Sequence, residues 1–243
     1  MNEKGVGHME GLTLENPVVQ TIGSQVYQIL RSNIINLNLK PGEELNIKEL
    51  TERLGVSRSP VRDAIMKLAE EGLADIMPQK GPRVSKIDLK RMEEERFLRE
   101  CLEERVIFIF AEQCCTENDA VLEEKIRDQE KCLAQQRFGR FLELDEQFHG
   151  IFFKLTDKEF CWELLQSKSG HYRRVRLMTL WDSGIVSGAI YQHRKMLDCI
   201  KNKQMKELIA LLHEHCRKIN VEEIELFQKY PEYFKEQEIK QFL

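Results

Sequence analysis

Apolar positions along the chain fall into two regimes. Residues 1–17 carry no pattern and are expected to be a flexible tail. From there Val26, Ile29, Leu30, Ile34 and Leu37 recur at the spacing of one helix face. Lys40-Pro41-Gly42-Glu43 stops that helix, because Pro and Gly suit the two central positions of a tight turn. Ile47, Leu50 and Leu54 predict a second, short helix, with Asn46 as its cap and Glu49 three residues on. Gly55-Val56 breaks it. A third helix is expected to begin at Ser59-Pro60, where Ser caps and Pro gives up no hydrogen bond. Val61, Ala64, Ile65 and Leu68 form its inner face, and Gly72 ends it. Two short extended pieces, 73–77 and 83–87, flank the turn Pro78-Gln79-Lys80-Gly81-Pro82 and predict a two-stranded hairpin.

Near Asp88 the pattern changes. Glycine becomes sparse, Pro231 is the one proline beyond this point, and the 3.6-residue period dominates. Six helices are expected, at about 90–115, 118–136, 138–155, 159–181, 184–202 and 204–228. The expected fold class is therefore mainly α. An N-terminal winged helix-turn-helix over 18–88 precedes an all-α antiparallel helical bundle over 89–243.

Composition narrows the class. With 243 residues, 42% hydrophobic and 32% charged, the chain is long enough for two small cores and too ordered in pattern for a disordered protein. No run approaches the roughly 20 apolar residues of a membrane span. Residues 1–11 lack the apolar stretch of a signal peptide. Seven cysteines, an odd number without regular spacing, point to free thiols and a cytoplasmic location. A net charge of −4 disfavours polyanion binding by the chain as a whole, and leaves room for a local basic surface.

Such a surface is present at the start of the third helix. Arg58 and Arg62 are four apart and project away from the Val61, Ile65 and Leu68 stripe. Arg reads guanine edges bidentately or clamps phosphate, and Ser57 and Ser59 offer hydroxyls where a helix N-terminus favours anions. Gly81 beside Lys80 at the hairpin tip lets backbone approach a groove. Taken alone, the two arginines would be ordinary solvated charges; the order of helix, helix, turn, helix and hairpin gives them a context. The stretch Ile47-Lys48-Glu49-Leu50-Thr51-Glu52-Arg53-Leu54-Gly55-Val56-Ser57-Arg58-Ser59-Pro60-Val61-Arg62-Asp63-Ala64 resembles the winged helix-turn-helix of GntR-type bacterial transcription regulators. Leu68–Leu73 and Lys80–Val84 continue the resemblance. It implies that Ser57, Arg58, Ser59 and Arg62 contact operator DNA, that Gly81 sits in the wing, and that Lys48 meets phosphate. The polar, Met-rich stretch Ala74–Pro78 departs from the family and leaves the wing length open.

The bundle carries a second constellation. Asp145 and His149 are four apart and share a helix face with Phe141, Leu142, Phe148 and Phe152 nearby. His193 falls in phase with Val186, Ile190, Leu197 and Ile200, and His215 with Leu208, Leu212 and Ile219; His213 lies off that stripe, and His171 is undecided. Read singly, each histidine is a hydrogen-bonded core residue. Together, Asp145, His149, His193 and His215 make an N₃O donor set suited to a divalent transition metal such as Zn, Ni, Cu or Fe. Leu144–His149, Gln192–Ile200 and His215 resemble the FCD ligand-binding domain of the FadR subfamily, with spacings of 44 and 22 residues between the three histidines. The resemblance implies that these four residues are metal ligands, with Zn or Ni the expected ions. It implies a small carboxylate effector at the open positions and a homodimer on near-palindromic operator DNA, acting as a repressor rather than an enzyme. Gln192 stands where the family more often has Glu. Arg99 either pairs with such an acid, as its family counterpart does, or forms a surface salt bridge with Glu95 or Glu103. Arg173 and Arg176 are weaker candidates. Two other readings stay open: the ion itself is the signal, or the cluster activates water as a hydrolase.

Overall fold

A computed structural model describes residues 21–113, 119–182, 186–217, 226 and 228–235. The expected tail, the Cys114–Cys115 pair and most of 218–228 lie outside them. The chain divides into two compact units. One takes in everything to Leu89 together with the segment from Lys229; the other spans Lys90–Gln228.

In the first unit, α1 (Ile22–Ile35), α2 (Ile47–Leu54) and α3 (Arg58–Glu70) precede a hairpin of β1 (Ala74–Met77) and β2 (Gly81–Val84). Helix α1 ends before the Pro-Gly turn does its work. Asn36 is its C-cap, and Leu37 takes a left-handed φ of 60°. Pro41-Gly42 then makes a separate turn, with Gly42 at φ +83° and the Glu43 amide donating to the Lys40 carbonyl at 3.0 Å. Asn46 caps α2 as expected, its Oδ1 accepting from the Lys48 and Glu49 amides at 3.0 and 3.2 Å. Gly55 closes α2 in the left-handed region. Helix α3 starts earlier than Ser59. Ser57 holds the N-cap position without a side-chain cap bond, and Ser59 Oγ faces Asp63 instead. Val26, Leu30, Leu50, Val61, Ile65 and Leu68 fill the core between the three helices.

The hairpin is shifted from its predicted place. β2 begins at Gly81 and ends at Val84, with Ala74 opposite Val84 and Met77 opposite Gly81. Just past the end of β2, Ser85 stays in register with Leu73. Its amide donates to Leu73 O at 3.0 Å and its hydroxyl to Gly72 O at 2.6 Å. On the other side of β2, the Leu45 amide donates to Pro82 O and the Val84 amide to Glu43 O. The wing is thus tied at its base to the segment before α2.

The second unit holds α4 (Leu89–Gln113), which begins at the boundary, then α5 (Asp119–Ala134), α6 (Phe138–Leu155), α7 (Glu159–Lys168), α8 (Gly170–Asp182), α9 (Val186–Lys201) and α10 (Met205–Arg217). Its core is aromatic, with Phe110, Phe148 and Phe152 packed edge to face. The helix expected over 159–181 is two helices. Ser169 Oγ donates back to Leu165 O at 2.5 Å and closes α7. Glu95, buried on α4, accepts the His171 and Tyr172 amides at 2.8 and 2.9 Å and so satisfies the first turn of α8.

Candidate nucleic-acid interface and candidate metal centre

Ser57, Arg58, Ser59 and Arg62 are all exposed at the N-terminal end of α3, opposite buried Val61, Ala64, Ile65 and Leu68. Among the described residues, neither Arg58 nor Arg62 forms an ion pair, so both guanidinium groups are available. Lys48 is 76% exposed and only loosely paired with Glu52 at 4.0 Å. Gly81 has φ +81° at the foot of a turn whose Gln79 is also left-handed. Lys80 is exposed beside it.

The second unit brings Asp145 and His149 (α6), His193 (α9) and His215 (α10) together. Their donor atoms lie within 4.8 Å of one another. His149 and His215 approach Nε2 to Nε2 at 3.2 Å. Asp145 Oδ1 is 3.4 Å from His193 Nε2 and 3.9 Å from His215 Nε2. His213, the histidine out of phase, faces Glu104 at 2.9 Å instead. His171 is buried elsewhere, with Nδ1 against Arg174.

Each imidazole is held from behind. His149 Nδ1 is 2.9 Å from Glu103 Oε2, His193 Nδ1 is 2.9 Å from Gln129 Oε1, and His215 Nδ1 is 3.0 Å from Gln192 Oε1. All three therefore turn Nε2 toward the centre, the arrangement by which outer partners fix metal-ligating rings. Gln192 does this in the neutral form where the family more often has Glu. Glu103 and Gln129 were not visible as part of the site from the sequence; they come from α4 and α5, and only the packed bundle aligns them.

The electrostatics favour a cation. Burial alone raises Asp145, but Arg176, His149, His193 and Arg99 outweigh it and hold the carboxyl well below the usual range. Burial lowers His193 to about 3 despite Asp145, and burial with the neighbouring imidazoles lowers His215 too. Both rings are neutral at physiological pH, the form that ligates. Asp145 Oδ1 and His193 Nε2 are buried and have no hydrogen-bond partner. Leaving such atoms unpaired costs about 1–3 kcal/mol each. Three imidazoles and a carboxylate, with two orphaned atoms among them, fit a transition ion. Metal–nitrogen bonds of about 2.0–2.1 Å allow donors up to about 4.2 Å apart, and the separations of 3.2, 3.4 and 3.9 Å fall within that.

Arg99 is not the surface salt bridge. It is 3% exposed, donates Nε to Glu103 Oε1 at 2.7 Å, and points Nη2 toward Asp145 Oδ2 at 3.7 Å. That Nη2 has no hydrogen-bond partner. Arg176, the weaker candidate, is the closer one, with Nη2 donating to Asp145 Oδ2 at 2.5 Å. Arg173 turns away to Glu146.

The profile described as "Bacterial regulatory proteins, gntR family" matches residues 22–84, and that of the FCD domain matches residues 96–218. The chain belongs to the GntR family. It is a transcription regulator of the FCD-containing, FadR-like branch, and it binds DNA through a winged helix-turn-helix. Among curated relatives, it is 28% identical to the transcriptional repressor RspR of Escherichia coli over 91% of this chain and 97% of that one. It is 31% identical to a regulator of Streptomyces ambofaciens over 80% and 81%. The solved structure of E. coli McbR/YncC matches with a TM-score of 0.73 at 20% identity, covering 87% of this chain and all of the other, and supports the fold. Among the described residues of this GntR regulator, no helix is long and apolar enough to cross a membrane.

Proposed function

We propose that this GntR regulator is a cytoplasmic, ligand-responsive repressor. A homodimer reads a near-palindromic operator with Arg58 and Arg62 of each α3 in successive major grooves. Ser57, Ser59 and Lys48 contact phosphate, and Gly81 carries the wing backbone to the duplex. In the bundle, Asp145, His149, His193 and His215 hold a divalent transition ion, Zn or Ni by donor type. When bound, the ion supplies open positions for a small carboxylate. Arg99 and Arg176 hold the negative charge on Asp145 and the acid. Glu103, Gln129 and Gln192 fix the tautomers that leave each Nε2 free to ligate.

One observation carries the bundle reading: Asp145 Oδ1 and His193 Nε2 are buried, face one another at 3.4 Å and lack hydrogen-bond partners. Regulation by the acid requires that it bind the DNA-competent and DNA-incompetent states differently. The test is elemental analysis of the purified chain, followed by operator titrations with chelated protein, with zinc alone, and with zinc plus citrate. Metal at one equivalent, with a response to citrate only in the zinc arm, is the expected result. A full response to zinc alone would make the ion the signal. Absence of any metal after zinc loading would overturn the site.

A further inference from the structure

The chain returns to its first unit after the bundle, and the returning segment does something specific there. Lys229 and Tyr230 lead into a short 3₁₀ turn, Pro231–Tyr233, and Phe234 follows it. Phe234 pairs with Ile87 as a parallel bridge. The Ile87 amide donates to Tyr233 O at 2.8 Å, and Ile87 O accepts from the Lys235 amide at 3.0 Å. Phe234 and Ile87 are 1% and 0% exposed. Lys235 Nζ reaches Asp88 Oδ2 at 2.8 Å. Burial raises the Tyr233 phenol, with Glu232, Tyr230 and then Glu43 adding to it. Glu43 is itself tied to Val84 at the end of the wing.

The residue engaged on both its backbone groups lies between two anchors. Ser85 is fixed to Gly72 and Leu73, and α4 starts at Leu89. Lys86, Ile87 and Asp88 therefore lie between the two anchors, and their dihedrals set the direction in which the chain leaves the reading head, Ile87 being the one held on both backbone groups. A free linker of this kind acts as a hinge, since a few loop residues absorb large changes in φ and ψ. Nothing in DNA reading by α3 and the wing needs a C-terminal strand, so this docking calls for a separate explanation.

We propose that residues 229–235 are a strap that locks the Ile87–Asp88 hinge, and that Phe234 and Lys235 are positioning residues for operator binding. With the strap docked, the linker holds one conformation and the paired heads meet their half-sites without first ordering it. With the strap released, only a fraction of the molecules present the competent arrangement, and apparent affinity falls by that fraction. The proposal does not depend on the metal or the acid.

The test uses the full chain and the operator duplex it selects in vitro. Phe234→Ala is expected to weaken binding about tenfold, the fall for a competent fraction near one tenth. It should also speed hydrogen exchange at the Ile87 and Lys235 amides, while zinc loading stays unchanged. Phe234→Leu, which refills the site, should restore most of the affinity. Lys235→Asp changes an exposed charge and leaves the core intact; it should weaken binding by a small factor, and the exchange Asp88→Lys with Lys235→Asp should recover it. Operator affinity unchanged in Phe234→Ala, or a charge exchange no better than the single variant, would overturn the strap.

Discussion

The reading head and the bundle use arginine in opposite ways. Arg58 and Arg62 stand in solvent at the N-terminus of α3 and form no ion pair among the described residues. Arg99 is buried and Arg176 half-buried against Asp145, and Arg99 also pairs with Glu103. An exposed guanidinium costs little to maintain and waits for a partner of opposite charge. A buried one is tolerated only because carboxylates already compensate it. The first arrangement suits a polyanion that arrives from outside, whose phosphates displace counterions. The second suits a closed site where charge is balanced in advance and one more cation or anion shifts the balance. The two regions should therefore fail in different ways, and variants can show whether they do.

The sharpest break is in the bundle. His193→Ala with His215→Ala removes two of four donors, and the variant should lose bound metal entirely by elemental analysis. Its affinity for the operator duplex in the absence of added metal should stay within about twofold of wild type, since distant, independent sites add. If the double variant keeps a full equivalent of metal, the four-residue site is wrong. If it loses DNA binding while remaining folded, the two regions are not separable as described.

Glu103→Gln probes the compensation itself. It leaves Arg99 as a buried charge without its main partner and deprives His149 of its anionic support. Breaking a buried pair costs about 3–5 kcal/mol, so the melting temperature of the metal-free chain should drop markedly. A change below about 1 kcal/mol would mean that water reaches the pair. The same groups predict an acid response. Burial raises Glu103, but Arg99 and His149 hold it at about 2, against 4.5 for a free glutamate. His193 is lowered from 6.5 to about 3 by burial. Both folded values lie below the unfolded ones, so the unfolded chain binds more protons in between. Stability from His193 is complete above about 6.5 and lost as pH falls toward 3; that from Glu103 is complete above about 4.5 and lost toward 2. With chelator present, the bundle should therefore melt earlier than the head as pH falls. If the proposed site holds zinc in the folded state, zinc at neutral pH should raise the melting temperature.

In the head, Arg62→Ala should cost about 1–3 kcal/mol of operator affinity if it reads a base edge. It should leave thermal stability and zinc loading unchanged, because Arg62 packs against nothing in the core. A variant that loses affinity equally for every sequence, with a shallower salt dependence, would move Arg62 from base reading to phosphate contact.

These regions also differ in how far the sequence disclosed them. The head was legible because its signals are local: Asn46 caps two residues away, Gly55 and Gly42 take the backbone where other residues resist, and the α3 stripe runs from Val61 to Leu68. Its errors were of a few positions, at the end of α1, the start of α3 and both ends of β2. The clustered histidines were legible by phase, which separated His215 from His213. Their supports were not, since Glu103, Gln129 and Gln192 reach the rings from other helices. The break at Ser169–Gly170 depends on Glu95, more than seventy residues earlier, so periodicity alone ran one helix through it. Arg176 was underrated for the same reason: its partner Asp145 sits on another helix. The return of Phe234 to Ile87 left no trace in the pattern at all.

The smallest expected effects lie within the head and separate folding from reading. Asn46 and Ser57 occupy the same position at the starts of two successive helices, yet only Asn46 uses its side chain as a cap. Asn46→Ala should therefore cost about 1 kcal/mol of stability. Operator affinity should change little once the variant is measured well below its melting temperature. Ser57→Ala removes a hydroxyl that makes no cap bond and, among the described residues, no other hydrogen bond, so its melting temperature should match wild type. If that hydroxyl meets phosphate, its loss should cost about 0.5–1.5 kcal/mol of binding, a few-fold in the dissociation constant, with little dependence on base sequence. The reverse outcome, a destabilised Ser57→Ala with normal binding, would make Ser57 a cap after all. The contact surface would then begin at Arg58.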